Sequence, residues 1–338
     1  MALDRHPSPQ AEQVEGQVRE QKPARELCSA TGELQLIGSA WNNTRWIAIE
    51  SNNSWGDDPI ANGVLGEASA AVGEYATAAG VEPLFIRQPG RVEDTGRYTA
   101  FLSNTQYGDE WCERIEFSDP HELLEIDLAK LDRPSPKKPV FGGERVFSGA
   151  PVSLLKRFIG GKRPTDAVAL VCTNGQVDVC CAIKGRPLAA ALFKKHPGNV
   201  YESNHFGGHR FAPVIMVNGR MYARIDAEGA EKIMATVKRG EIPLTGYRGH
   251  TGLNEVGQVA EGKVLEILSG GAETVRADLT VKVNDAEATV TERDGRMWQV
   301  TTKEEILEPR LLTCKGEPEA RKRVILDKVT EVSACRRG

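Results

Sequence analysis

Between Cys172 and His209 the chain reads C-T-N-G-Q-V-D-V-C-C-A-I-K-G-R-P-L-A, then a helical run, then V-Y-E-S-N-H-F-G-G-H-R-F-A-P. Cysteine-bearing turns are thus followed by two histidines flanking a Phe-Gly-Gly. Thiolate and imidazole are the commonest soft and borderline metal ligands in proteins. Four such side chains on turns, spaced C-x8-C and H-x3-H, form a candidate metal site: Cys172, Cys181, His205 and His209. Whatever fold the chain adopts must bring these two turns together.

The elements around this stretch set the fold class. A-V-A-L-V-C (167–172) is an apolar run bounded by turn residues and reads as a buried strand. A helix follows through R-P-L-A-A-A-L-F-K-K-H (186–196), with Pro187 in its first turn, then a strand at 199–203. A hairpin turns on Asn218-Gly219 within 212–225. A helix over 226–238 starts from Asp226 as N-cap. This β-α-β-β-β-α order is the thioredoxin-like plan.

The first half of the chain runs through nearly the same series. Strands are expected at 45–51, 82–88, 97–104 and 112–118, with helices at 66–80 and 121–131. The match suggests an α/β structural duplication in which only the second copy kept ligands. Residues 1–26 are polar and Pro-rich and read as a disordered tail. L-D-R-P-S-P-K-K-P (131–139) is a linker, and a short helix is expected at 151–159. Beyond 245, alternating residues at 279–302 predict an antiparallel meander, and a terminal helix is expected within 317–329. The domains on this reading are a tail (1–26), an N-terminal α/β thioredoxin-like domain (27–140), a thioredoxin-like ligand-bearing domain (141–245) and a β-rich C-terminal region (246–338).

With 43 basic against 47 acidic side chains, the net charge of −4 leaves no basic field for nucleic acid or anionic lipid. No apolar run approaches the roughly 20 residues that span a membrane. The N-terminus lacks a signal-peptide core, so the expected location is the cytoplasm. In that reducing compartment the seven cysteines are not expected to form a disulfide framework. Cys28, Cys112, Cys314 and Cys335 are scattered singly and read as incidental thiols; only Cys172, Cys180 and Cys181 cluster.

Phe206-Gly207-Gly208 argues against a helix carrying both histidines, and no H-E-x-x-H glutamate accompanies them, so a hydrolytic zinc site is not expected. Two glycines instead let a loop wrap tightly and present backbone N–H groups to an anion. Structural zinc and a two-iron cluster demand the same Cys2His2 set, and both stay open at this level. Adjacent side chains cannot easily bind one ion, so one of Cys180 and Cys181 is peripheral. No C-x-x-C dithiol motif is present. Ala212-Pro213 falls where thioredoxins place a cis-proline, although a trans-proline opening a strand is the commoner outcome.

These motifs, with R-W-I-A-I-E…W-G (45–56) and Y-R-G (247–249), resemble the sucrase/ferredoxin-like family of thioredoxin-like [2Fe-2S] proteins over roughly residues 28–250. The resemblance implies a [2Fe-2S] cluster held by Cys172, Cys181, His205 and His209, with the D-x-x-C pattern from Asp178 selecting Cys181. It implies an iron-sulfur electron-transfer protein, more a redox carrier than an enzyme, working with a redox partner protein. Histidine ligation makes such a cluster easier to reduce, and a histidine's outer nitrogen can exchange a proton with the redox change. A structural zinc-binding interaction protein is the alternative. Two positions depart from the family: Asn174 stands where a histidine is common, and His250 where an arginine is. No pair of carboxylates is set apart as acid and nucleophile, so glycosidase activity is not expected.

Overall fold

The computed structural model describes residues 26–30, 32, 35–90, 94–132 and 167–332. Nearly all of the expected tail, the linker beyond Asp132 and the helix expected at 151–159 lie outside these residues. The first half contains β1 (Arg45–Glu50), α1 (Ser69–Ala78), β2 (Glu82–Arg87), β3 (Tyr98–Asn104) and β4 (Trp111–Phe117). The second contains β5 (Ala169–Cys172), α2 (Arg186–Phe193), β6 (Val200–Ser203), β7 (Val214–Val217), β8 (Arg220–Ala223) and α3 (Ala227–Lys238). Then come β9 (Ile242–Pro243), β10 (Tyr247–His250), α4 (Glu255–Ser269), β11 (Thr274–Val275), β12 (Leu279–Asn284), β13 (Glu287–Glu292), β14 (Met297–Leu311) and β15 (Pro318–Val332).

Nine strands form one mixed sheet in the order β10-β8-β7-β5-β6-β2-β1-β3-β4. β1 runs parallel to β2 and antiparallel to β3, which pairs antiparallel with β4. β5, β6, β7 and β8 repeat that arrangement. The two sets meet where β2 and β6 pair antiparallel, Ile86 opposite Ser203 and Arg87 opposite Glu202. The inner strands β1, β2, β3, β5 and β7 are apolar on both sides, as a sheet covered on both faces requires.

Residues alternate between two cores along each strand. Ile47 and Ile49 pack with α1, Phe85 and Leu102, while Trp46 and Ala48 on the other face join Leu84, Phe101, Leu170, Cys172 and Met216. In the second half Ala169, Val171, Ile215 and Val217 pack with residues of α2, α3, α4 and the C-terminal sheet, including Trp298. Cys172 therefore sits at the end of a central strand, on the face the two halves share.

Local chemistry accounts for most boundaries. Asn218 and Gly219 both take positive φ, 48° and 78°, as the two-residue turn between β7 and β8 demands. The Asp226 carboxylate accepts the Gly229 N–H at 2.8 Å and caps α3, worth about 1 kcal/mol. The Ala212–Pro213 peptide is cis, not the commoner trans.

Two expectations need correction. The helix expected over 121–131 is two 3-10 turns, Pro120–Glu125 and Leu128–Asp132, separated by the extended Ile126; the first has an Asp119/Glu122 capping box. The segment expected to be a terminal helix is β15, paired with β14 from Met297 opposite Val332 to Leu311 opposite Pro318. Its Lys, Arg and Glu residues favour helix only weakly, and a full partner strand overrides them. The C-terminal region is β-rich, as expected, with β12-β13-β14-β15 in one antiparallel sheet. It contains α4, capped by Asn254 and ended by Gly270 at φ 58°, and β10 belongs to the main sheet.

Candidate metal centre

β5 delivers Cys172 to a turn that is tied down on both sides. The Thr173 N–H bonds the Ser203 carbonyl at 3.0 Å. The Asn174 amide donates to the Gly56 carbonyl at 2.8 Å, while its oxygen accepts the Gln176 N–H at 3.0 Å. The chain returns at Cys181, which opens a single π-helical turn, Cys181–Gly185, leading into α2. A Cβ at Gly185 would collide with the Cys172 carbonyl. Glycine there lets the helix close on the strand end, which sets Cys181 beside Cys172.

The histidine loop leaves β6 at Asn204, whose side chain and backbone both bond Phe85, at 3.0 and 2.9 Å. Gly207 and Gly208 take φ of 89° and 83°, and a 3-10 turn begins at His209. The two histidines therefore do not share a helix face, as the glycines foretold. A Cβ at Gly208 would strike the Arg248 guanidinium. Arg248 is buried against the Phe211 ring, donates to Ser39 Oγ at 3.1 Å and reaches the Gly207 carbonyl at 3.4 Å. The arginine of Y-R-G thus shapes the histidine loop, a role the sequence reading did not assign.

Cys172, Cys181 and His205 converge, with one ligand atom from each lying within 4.8 Å of the others. His205 Nδ1 faces both thiols, 3.5 Å from Cys172 Sγ and 3.9 Å from Cys181 Sγ. His209 stands behind His205, its Nδ1 3.2 Å from the outer His205 Nε2. The Cys181 thiol and the His205 ring hold Cys172 well below the usual thiol range, helped by the Phe206 N–H. The same contact with Cys172, together with burial, pushes Cys181 up. Burial and the neighbouring His205 lower His209. Two thiols and an imidazole brought this close are a donor set that suits a soft or borderline cation.

A second group of ligand atoms lies alongside: Cys28, Asp178, Cys180 and Cys314, all buried. The reading of Cys28 and Cys314 as isolated thiols is corrected here. Chain separations of 134 to 286 positions among these cysteines hid their proximity. Cys28 belongs to a 3-10 turn, Cys28–Ala30, and Cys314 to the turn joining β14 and β15. Although burial alone would raise it, Asp178 is held at about 2 by the N–H groups of Cys314 and Cys180. Burial pushes up both Cys28 and Cys314. Cys112 lies apart on β4, its thiol pushed up to about 12 by burial. Cys335 lies outside the described residues.

The sucrase/ferredoxin-like family model matches residues 36–249, more than half of the 338 residues. The chain belongs to the sucrase/ferredoxin-like family. The match includes Cys172, Cys181, His205, His209 and Arg248, and leaves out Cys28 and Cys314. Comparison with curated proteins and with solved structures gives no match. Among the described residues no helix is long and apolar enough to cross a membrane.

Proposed function

We propose that this member of the sucrase/ferredoxin-like family is an electron carrier that holds one [2Fe-2S] cluster with Cys172, Cys181, His205 and His209. The carrying observation is the convergence of Cys172, Cys181 and His205 at the end of β5, within the stretch that the family model matches. The residues fit the group. Two thiols and an imidazole meet in a buried pocket, the Phe206 N–H points at the Cys172 sulfur, and His209 is next in line.

When bound, the cluster supplies a one-electron couple. The protein's own residues set its environment: two neutral imidazoles in place of thiolates leave less negative charge to oppose reduction. Arg248 and the two glycines hold the histidine loop against the thiols. His209 keeps 20% of its side-chain surface exposed, so the histidine side is where a redox partner protein would approach. The repeated strand order of β1–β4 and β5–β8 supports reading the sheet as a duplicated thioredoxin-like unit with ligands in the second copy alone.

Structural zinc is the second reading, favoured by how closely the three ligand atoms pack. Anaerobically purified protein decides between them. The cluster reading expects two irons and two acid-labile sulfides at this site, with a brown or red colour. A colourless protein whose Cys172→Ser variant loses zinc would replace the cluster with zinc.

A further inference from the structure

Cys28, Cys180 and Cys314 form a closed triangle of sulfurs. The edges are 3.6 Å for Cys28–Cys180, 3.2 Å for Cys180–Cys314 and 3.5 Å for Cys314–Cys28. Both Asp178 carboxylate oxygens lie 3.7 Å from Cys28 Sγ. We propose that these four side chains form a second, mononuclear metal site for a zinc-like divalent cation, separate from the Cys172/Cys181/His205 site.

The distances fit one ion. Thiolates about 2.3 Å from a tetrahedral zinc stand about 3.8 Å apart, so an entering cation need only spread the triangle by a few tenths of an ångström. A polynuclear cluster, whose irons are bridged by sulfide, would hold its thiolates further apart. A disulfide accounts for the triangle less well. It joins two sulfurs at about 2.05 Å, which leaves the third sulfur and the carboxylate without a part. Cation binding uses all four: each thiol gives its proton to solvent as its sulfur takes a place on the ion, and the carboxylate donates a lone pair.

Asp178 is already aimed. Its Oδ2 accepts the Cys314 N–H at 2.7 Å and the Thr313 hydroxyl at 3.0 Å, and its Oδ1 accepts the Cys180 N–H at 2.9 Å. The Cys28 N–H lies 3.3 Å from Cys314 Sγ. These bonds fix the carboxylate and two of the cysteines before any ion arrives, the orientation a metal site needs around its ligands.

The ligands also suggest the purpose. Cys180 neighbours the cluster ligand Cys181, while Cys28 and Cys314 come from opposite ends of the described chain, both outside the family match. One ion would therefore staple the N-terminal turn and the tip of the β14–β15 ribbon over the cluster turn. Lys315 of the same tip bonds the Gln176 carbonyl. Closing such long loops gives a bound ion large leverage on folding.

Metal analysis of the full-length protein tests this, with Cys28→Ser, Cys314→Ser and the double variant beside the parent. The parent is expected to carry one zinc besides any metal at the first site. Each variant should lose at least nine-tenths of that zinc while keeping its iron and visible spectrum. Zinc retained in the double variant would overturn the proposal, as would a parent that takes up no zinc under reducing conditions. Two fewer free thiols than the cysteine count, in parent protein denatured with excess chelator so that no thiol is held by metal, would overturn the proposal in favour of a disulfide. Should the variants fail to fold by circular dichroism, zinc X-ray absorption of the parent decides: three sulfurs and one oxygen are expected, and a two-sulfur, two-nitrogen shell alone would refute the site. The cluster reading fails separately, because zinc in place of iron at the first site would be lost in Cys172→Ser and kept in Cys314→Ser.

Discussion

Asp178 Oδ2 accepts the backbone N–H of Cys314 at 2.7 Å across 136 positions of the chain. This bond fastens the tip of the β14–β15 ribbon to the turn between Cys172 and Cys181. Asp178 is fully buried, and its carboxylate accepts the Cys180 and Cys314 N–H groups and the Thr313 hydroxyl, with the Cys28 thiol at 3.7 Å. In Asp178→Asn the amide must face at least one N–H it cannot accept. Hydrogen bonds to a buried charge are each worth about 1.5–3 kcal/mol, so unfolding in urea should show a loss of about 3 kcal/mol. Hydrogen exchange should rise first in residues 311–318. Unchanged protection there would mean that the ribbon is held by something else.

Serine scanning of the adjacent cysteines separates their roles. Cys172→Ser and Cys181→Ser are expected to lose iron and colour, because both sulfurs face His205 Nδ1. Cys180→Ser should keep its iron, since its sulfur points instead at Cys28 and Cys314. A colourless Cys180→Ser beside a coloured Cys181→Ser would reverse the assignment.

Gly208 tests the histidine loop. Alanine at a left-handed φ costs roughly 1–2 kcal/mol, and here its Cβ would also press on the Arg248 guanidinium. Gly63, with φ of 69° and no atom within 4 Å of a built Cβ, is the control that carries the backbone cost alone. Gly208→Ala should therefore lose more stability than Gly63→Ala and bind less iron per chain. Equal behaviour of the two variants would remove Arg248 from the account of the site.

His250 gives a pH signature of its own. Its ring is fully buried, and its Nδ1 accepts the Gly252 N–H at 3.0 Å, so the neutral ring carries its proton on Nε2, 3.3 Å from Glu110 Oε1. Burial, then Arg220, lowers His250 from its ordinary value. The unfolded ring takes a proton below about pH 6.5 while the folded ring still resists, so stability should fall as the pH drops below about 6.5 and level off once the folded ring also protonates. The slope for one such group is at most about 1.4 kcal/mol per pH unit. Glu110 is held at about 2 by His250 against the effect of burial, so its contribution is full above the ordinary carboxylate range and is lost progressively as the pH falls from there through about 2. His250→Gln should flatten the urea-midpoint curve between about pH 6.5 and 5. A parental slope in that variant would assign the titration elsewhere.

Short-range chemistry made much of this molecule legible. Continuous apolar runs located the inner strands, Asn218-Gly219 the hairpin, Asp226 a helix start, and Gly207-Gly208 the bend between the histidines. Contacts that depend on distant partners were hidden. β15 reads as helix until β14 is there to pair with it. The flanking Asn254 and Gly270 could have revealed α4, but Gly257 and Gly262 interrupt its pattern; a Cβ at Gly262 would strike Ile37. Cys28 and Cys314 look solitary because what joins them to Cys180 is the reach of a 15-residue ribbon, and no local pattern encodes that reach.

The last expectation separates His205 from His209. Replacing either by cysteine keeps a ligand atom but exchanges a neutral imidazole for a thiolate, and the added negative charge opposes reduction. Centres with two histidines lie at roughly −150 to +300 mV against about −400 mV for all-cysteine ferredoxins, so each exchange should lower the midpoint by on the order of 100 mV or more. His205 faces both thiols directly, whereas His209 meets them only across the His205 ring. Film voltammetry of His205→Cys and His209→Cys therefore reads two different contacts. A fall in both variants is expected if the four residues share the cluster. A fall in His205→Cys alone, with iron content and colour intact in His209→Cys, would remove His209 from the ligand set and leave it as the residue that orients His205. Unchanged potentials in both would end the histidine-ligated reading altogether.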